Sequence, residues 1–261
     1  MTDPSAQTSG TEPPATAAVL IIGDEILSGR TADVNLNAIA KLLVTLGVDL
    51  KEARVVADEM DDIVDAVNAL RTRYTYVFTT GGIGPTHDDI TADAMAQAFG
   101  VALHEHPEII AMMVARWAGE LNAARRRMAR IPEGGSLIKN PVNGPPGFQI
   151  GNVFVMAGVP SIMRGMLEDV PHRLRTSAVV QSRTVRVDGS GEGVIAAPLE
   201  AVNKAHPSLS LGSYPFFSAE GFGSNLVVRG RDEAEIAAAI EELTAALRAV
   251  GVTGITLVDP A

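Results

Sequence analysis

The sequence has no cysteine. That excludes disulfides, thiolate metal sites and a cysteine nucleophile. It has no apolar run near the roughly 18–20 residues of a membrane-spanning helix. It is also short of basic charge. A net charge of −10 argues against a nucleic-acid binder, whose footprint is usually basic. It leaves a phosphate ligand open, because sites are local. The N-terminal stretch MTDPSAQTSGTEPPAT lacks the basic start and apolar segment of a signal peptide. Its Pro, Ser and Thr content reads as a disordered tail over residues 1–16. Without cysteine or a signal, the expected compartment is the cytoplasm.

What is present supports a substantial core. Apolar residues make up 46 % of 261 residues, enough for one large or two modest domains. Ala17–Gly23 reads as a buried strand. Leu36, Ile39, Leu42, Leu43 and Leu46 fall at helical spacing and stop at Gly47. A strand follows near Val48–Ala57. Next come a helix with Met60, Ile63, Val64, Val67 and Leu70 on one face, a strand over Tyr74–Thr80 and a helix over Asp89–Phe99. A long helix is expected from Pro107 to Arg130, with Ile109, Ile110, Met113 and Trp117 as a packing face. Short strands at Ser136–Ile138, Phe148–Ile150 and Val153–Ala157 precede a helix after Gly158.

This alternation predicts an α/β fold: a mainly parallel sheet with helices on both faces, over residues 17–175. Composition shifts across 171–182. Residues 180–261 read as a small α+β domain with strands at Arg183–Val187, Ser208–Tyr214 and Asn225–Arg229 and helices at Glu192–Ala205 and Asp232–Val250.

In mainly parallel sheets, ligands sit outside the carboxyl ends of the strands. The strongest local feature lies at one such end: Thr79-Thr80-Gly81-Gly82-Ile83-Gly84-Pro85-Thr86-His87-Asp88-Asp89-Ile90-Thr91. Glycines let backbone approach a ligand closely, and loop N–H groups with a helix N-terminus offer donors to an anion. The plain alternative is a tight strand-to-helix turn. The loop is neither a Walker loop nor a GxGxxG fingerprint. Three acidic pairs, Asp24-Glu25, Asp58-Glu59 and Asp88-Asp89, fall at three strand ends. Carboxylates facing a phosphate need a proton or a divalent cation between them, and Mg²⁺ on one or two carboxylates plus phosphate oxygens is the usual solution. Taken singly, each acid is as well explained as a helix cap or a solvated side chain. His104 and His106 lack a third metal ligand nearby. Arg125–Arg127 is either a phosphate clamp or a solvated helix face.

The loop TTGGIGPTHDDIT resembles the signature of the molybdopterin-binding fold (MoaB/MogA-like), and most closely that of the competence/damage-inducible protein A (CinA) family. Gly23-Asp24-Glu25-Ile26-Leu27, Asn35, Arg126-Arg127, Pro132, Asn140-Pro141, Pro146-Gly147-Phe148 and Gly158-Val159-Pro160-Ser161 with Met163 fall on the family pattern. Gly212-Ser213-Tyr214-Pro215 matches its small second domain more weakly. Ala157, Asp24, His87 and Arg125 depart from the pattern, standing where Pro, Thr, Lys and Asn are common. The chain stops where full-length relatives continue into an amidase domain, so that activity is expected to be missing.

The resemblance implies two aspartates near the ligand phosphate, Asp58 and Asp89. They are the candidate catalytic pair and the candidate ligands of a divalent metal (Mg, Mn or Co). The expected ligand-binding residues are Gly23, Glu25, Thr80, Gly81, Gly82, Gly84, Asp88, Thr91, Arg127, Asn140, Gly147, Gly158, Pro160 and Ser161. Some relatives hydrolyse dinucleotide pyrophosphates such as ADP-ribose or FAD, so metal-assisted P–O–P cleavage is the first expectation. The second is a non-catalytic pterin or nucleotide module serving molybdenum cofactor assembly. The third is an interaction protein that has lost its ligand. The expected partner is a small phosphorylated ligand, with no nucleic acid and no membrane, and by analogy the protein is a homo-oligomer.

Overall fold

A computed structural model describes residues 13–117, 121–142, 144–218 and 221–258. The chain divides into two compact units between Ser177 and Ala178. The tail expected over residues 1–16 lies outside the described residues up to residue 12. The rest of that stretch is structured: Ala15 is fully buried and the first strand, β1, starts at Thr16.

In the first unit, β1 (Thr16–Ile22) runs into the short turn α1 (Asp24–Leu27) and then α2 (Asn35–Thr45). Next come β2 (Asp49–Val56), α3 (Met60–Arg73), β3 (Tyr76–Thr80) and α4 (Thr91–Phe99). Gly100 ends α4 in the left-handed region, with φ 67°. Then follow β4 (Leu103–Glu105), α5 (Pro107–Arg116), α6 (Ala123–Arg127) and β5 (Arg130–Pro132). The unit closes with β6 (Ser136–Ile138), β7 (Gly147–Ile150), β8 (Val153–Met156) and α7 (Pro160–Leu167).

The main sheet has the order β2-β1-β3-β8-β7-β6. β2, β1, β3 and β8 pair in parallel. β7 is antiparallel to both β8 and β6, so β7 alone is reversed and β6 points the same way as the other four. β4 and β5 form a separate antiparallel ladder. β1 shows why its sequence reads as one apolar run. Successive side chains alternate between faces, and both faces are covered. Ala18, Leu20 and Ile22 pack with Ile63, Val67 and Leu70 of α3 and Met95 of α4. Ala17, Val19 and Ile21 pack with Ile39 and Leu43 of α2 and Met163 and Met166 of α7. On that second face Phe78 and Phe154 stack, ring centroids 5.0 Å apart.

Two expectations need correction. The single helix over 107–130 is broken: α5 stops at Arg116, and Asn122 starts a new helix by accepting the Arg125 N–H at 2.9 Å. Met128 then ends α6, and Ile131, the middle residue of β5, pairs with His104. The helix expected from Asp89 begins at Thr91, because the Asp89 side chain turns back into the preceding loop.

The second unit contains β9 (Gln181–Asp188), α8 (Glu192–Ala205), β10 (Ser210–Ser218), β11 (Gly221–Gly230), α9 (Glu233–Ala249) and β12 (Gly254–Val258). Its antiparallel sheet has the order β10-β11-β9-β12. Val185, Val187, Leu226 and Val228 meet Ile195 and Val202 of α8 and Ile236, Leu243 and Leu247 of α9. Asp232 caps α9, accepting the N–H groups of Ala234 and Glu235.

Phe154 is fully buried and touches both Phe78 and Tyr76. Phe154→Ala is expected to lower stability by about 3–5 kcal/mol, read from urea unfolding. A loss below about 1 kcal/mol would mean that the ring is not part of a close-packed core.

Candidate functional site

Because β6 runs with β1, β2, β3 and β8, the carboxyl ends of five strands share one edge. The segments leaving them enclose a cavity of about 630 Å³. Gly23 and Glu25 follow β1, Asp58 follows β2 and Gly81, Gly82 and Gly84 follow β3. Asn140 follows β6, and Gly158 and Pro160 follow β8. The approach is close. A Cβ on Gly81, whose φ is 108°, would sit 2.0 Å from the Ile22 carbonyl oxygen. One on Gly82 would sit 2.1 Å from Thr91 Oγ1. Across the gap, a Cβ on Gly158 would lie 3.2 Å from Gly81 Cα. The buried Asn35, first residue of α2, donates from Nδ2 to the Gly158 carbonyl at 2.7 Å.

Asp89 organises the glycine loop from within. Its Oδ1 accepts the Gly84 N–H at 2.7 Å, and its Oδ2 accepts the Thr86 N–H at 2.8 Å and the Thr86 hydroxyl at 2.5 Å. The carboxylate thus holds donors that the sequence pattern offered to a phosphate. Arg127 donates to the carbonyls of Thr86 and His87, both at 3.2 Å. It therefore braces the loop, and it lines a smaller crevice beside the main cavity with Gly82, Gly84 and Asp89. The His87 ring is almost wholly in solvent.

The acids converge on the other strand ends. Asp58 Oδ2 accepts the Asp24 N–H at 3.0 Å, and Asp24 Oδ1 accepts the Asp58 N–H at 3.4 Å. The Glu25 carboxylate folds over Gly23, where a Cβ would meet Oε2 at 2.6 Å. Burial raises the Asp58 pKa above the ordinary carboxylate value. The Asp24 N–H opposes this, and repulsion from Asp24, Glu25 and Asp88 adds to it. Among the described residues, no group of three or more acidic or histidine side chains is arranged to hold a metal ion. Both Asp58 and Asp89 line the cavity, but both Asp89 oxygens are engaged by the loop.

Of the residues expected at the site, Gly23, Glu25, Asp58, Gly81, Gly82, Gly84, Asp88, Asp89, Asn140, Gly158 and Pro160 come together on this cavity. Thr80, Thr91, Gly147 and Ser161 are not on its wall. Thr80 is buried at the end of β3. Thr91 lies beneath the loop, its hydroxyl donating to the Gly81 carbonyl at 3.0 Å. Gly147 lies against the sheet, where a Cβ would come within 2.4 Å of the Val155 carbonyl oxygen. Ser161 is exposed on the first turn of α7. Sequence reasoning missed the apolar wall of Trp117, Met128, Ile162 and Met166. Trp117 reads as helix packing because it continues the spacing of Ile109 and Met113; it does pack against the same core, and its place at the end of α5 also leaves it on the cavity wall.

A mainly parallel sheet with helices on both faces, a glycine loop after its third strand and a cavity at its carboxyl edge define a MoaB/MogA-like α/β domain. The family described as "Probable molybdopterin binding domain" matches residues 18–176, more than half of the chain. The chain belongs to this family. Residues 179–254 match the family described as "FAD synthase, middle domain". A protein of Archaeoglobus fulgidus is 32 % identical over 200 residues, covering 76 % of this chain and 84 % of its own length. A CinA-like protein of Citrifermentans bemidjiense is 39 % identical over 193 residues, covering 70 % of this chain and 47 % of its own. The chain therefore spans about half the length of the CinA-like relatives it matches. The solved structure of CinA from Thermoplasma acidophilum, described as of unknown function, superposes with a TM-score of 0.59 at 32 % identity. That match covers 61 % of this chain and 98 % of the other. Among the described residues, no helix is long and apolar enough to cross a membrane.

Asp89→Ala strips the loop of its internal acceptor and is expected to cost about 2 kcal/mol, seen as a lower Tm; an unchanged Tm would show that the loop does not need the carboxylate. Asp58 gives a pH signature. Its folded pKa is raised, so the folded state binds the extra proton and stability falls as pH rises from the unfolded value of about 3.8 through the folded one. Asp58→Asn should therefore be the more stable protein at neutral pH, and the difference should vanish below about pH 4. Urea unfolding at a series of pH values checks this.

Proposed function

We propose that the first unit binds a small phosphorylated ligand, a nucleotide or a pterin phosphate, and hydrolyses a dinucleotide pyrophosphate of the ADP-ribose or FAD type with a divalent metal. The carrying observation is the make-up of the cavity. One space brings together a glycine loop, the carboxylates of Glu25, Asp58 and Asp88, and an apolar wall of Trp117, Met128, Ile162 and Met166. The match of residues 179–254 to a domain of FAD synthase supports a nucleotide.

A phosphate beside three carboxylates needs a cation between them. The donor set fits an ion carried in with the ligand: Mg²⁺ takes one or two carboxylates, completes its shell with phosphate oxygens and water, and needs no protein cage. Asp58 and Glu25 are the residues that would meet it. When bound, such an ion offsets phosphoryl charge and acidifies a water. The Gly82–Ile83 backbone orients the phosphate, the Gly84 N–H being held by Asp89. Asp58 would position the attacking water beside the phosphorus, and the water gives up its proton to solvent as it attacks. Water oxygen bonds to phosphorus, the bridging P–O bond breaks, and ADP-ribose yields AMP and ribose 5-phosphate. The proposal places the protein in the cytoplasm as a homo-oligomer, acting without nucleic acid or membrane.

A second reading has its own support. The loop carboxylate of Asp89 is fully engaged by Gly84 and Thr86, as suits a module that holds its ligand, linked to molybdenum cofactor assembly, and cleaves nothing. Incubation with ADP-ribose or FAD and Mg²⁺, Mn²⁺ or Co²⁺ separates the two. AMP release that Asp58→Asn lowers at least 100-fold supports hydrolysis. Binding of these compounds or of a pterin phosphate seen by thermal shift, with no AMP from any metal, supports the module, and no shift with any of them refutes both.

A further inference from the structure

The phosphate chemistry leaves one wall of the cavity unexplained. Trp117 is the single tryptophan of the chain. It follows the last residue of α5, and its indole lines the cavity with Met128, Ile162 and Met166. The ring is partly buried and packs against the core. The guanidinium carbons of Arg125 and Arg116 lie 4.9 Å and 6.0 Å from its centroid, within cation–π range. Arg125 is itself fixed at the start of α6, where Asn122 accepts its N–H. Beyond that packing, the indole has two cations within reach and forms part of the wall of a cavity that also contains the glycine loop.

We propose, building on the ligand-binding reading above, that Trp117 is the platform on which the aromatic ring system of the phosphorylated ligand stacks. Three observations fit together. Flat heterocycles stack on aromatic side chains whatever their substituents. Met128 offers a polarisable thioether beside the same space. A volume of about 630 Å³ holds a ring system as well as a phosphate. Stacking sets the ligand class: a phosphate joined to a purine, flavin or pterin ring is bound far better than a bare sugar phosphate.

The single tryptophan makes the test direct, because the indole emission of the whole chain reports Trp117 alone. ADP-ribose and ribose 5-phosphate are titrated into the protein while emission and heat of binding are followed in parallel. ADP-ribose is expected to quench emission saturably over the range in which calorimetry detects binding, and ribose 5-phosphate is expected to leave emission unchanged. Trp117→Ala should weaken ADP-ribose binding roughly 5- to 100-fold, the worth of one base–aromatic stack, and Trp117→Phe should recover most of it. Calorimetric binding of ADP-ribose with unchanged emission, or equal affinity in Trp117→Ala, overturns the stacking role and leaves the ligand-binding reading standing. Absence of any ADP-ribose binding overturns the stacking role as well. Should Trp117→Ala fail to fold by circular dichroism, quenching of the unmodified protein and the affinity of Trp117→Phe decide the matter.

Discussion

At the end of β3 the chain passes so close to its neighbours that a methyl group has no room. A Cβ on Gly81 would lie 2.0 Å from the Ile22 carbonyl oxygen, and the residue adopts a φ of 108° that side chains rarely tolerate. The ends of β1 and β3 are thereby pressed together, and Gly158 brings the end of β8 against the same point. Two buried polar side chains fasten the helices that begin there. Thr91 ties α4 to the Gly81 carbonyl, and Asn35 ties α2 to the Gly158 carbonyl. The floor of the cavity is a set of backbones in contact, so its shape follows from the packing of the sheet.

On that floor, charge is arranged in opposition. The glycine loop is shaped by a carboxylate of its own, with Asp89 accepting from the donors that an anion would otherwise attract. Arg127 braces the loop through the carbonyls of Thr86 and His87. The facing strand ends carry Glu25 and the partly desolvated Asp58. The loop is thus formed before any ligand arrives, and an incoming phosphate meets more negative charge than positive unless a cation accompanies it.

Much of this was legible in the sequence where one physical signal dominated. β1, β3 and β8 are buried on both faces, so they read as apolar runs ending in glycine or a turn. α2, α3 and α7 carry one buried stripe and show their period. The pattern also located the acidic strand ends and the glycine loop. It did not show β4 and β5, whose three residues are too few to display alternation, nor β12, three of whose five residues are exposed. Residues 107–130 kept a helical spacing through a break that a local contact, the Asn122 cap, decides. Thr80 and Thr91 were expected as ligand contacts because they fall within the stretch that resembles the family signature, but burial and the Thr91 bond to Gly81 account for them. Asp89 looked like a helix cap or a catalytic acid. Which N–H groups a carboxylate accepts from depends on loop coordinates that no residue pattern encodes.

The reversal of β7 separates specificity from architecture. The chain leaves β6 at the cavity edge and re-enters at Gly147 on the same edge, so the described residues 139–142 and 144–146 belong to a connection anchored at both ends on one side of the sheet. Lengthening such a connection disturbs no strand pairing, and the entropy of closing it rises only slowly with length. Asn140, Gly144 and Pro145 on the cavity wall come from this connection. A lineage can thus exchange one lip of its pocket as a cassette, while the glycine contacts at the carboxyl ends of β1, β3 and β8 keep the floor of the cavity fixed.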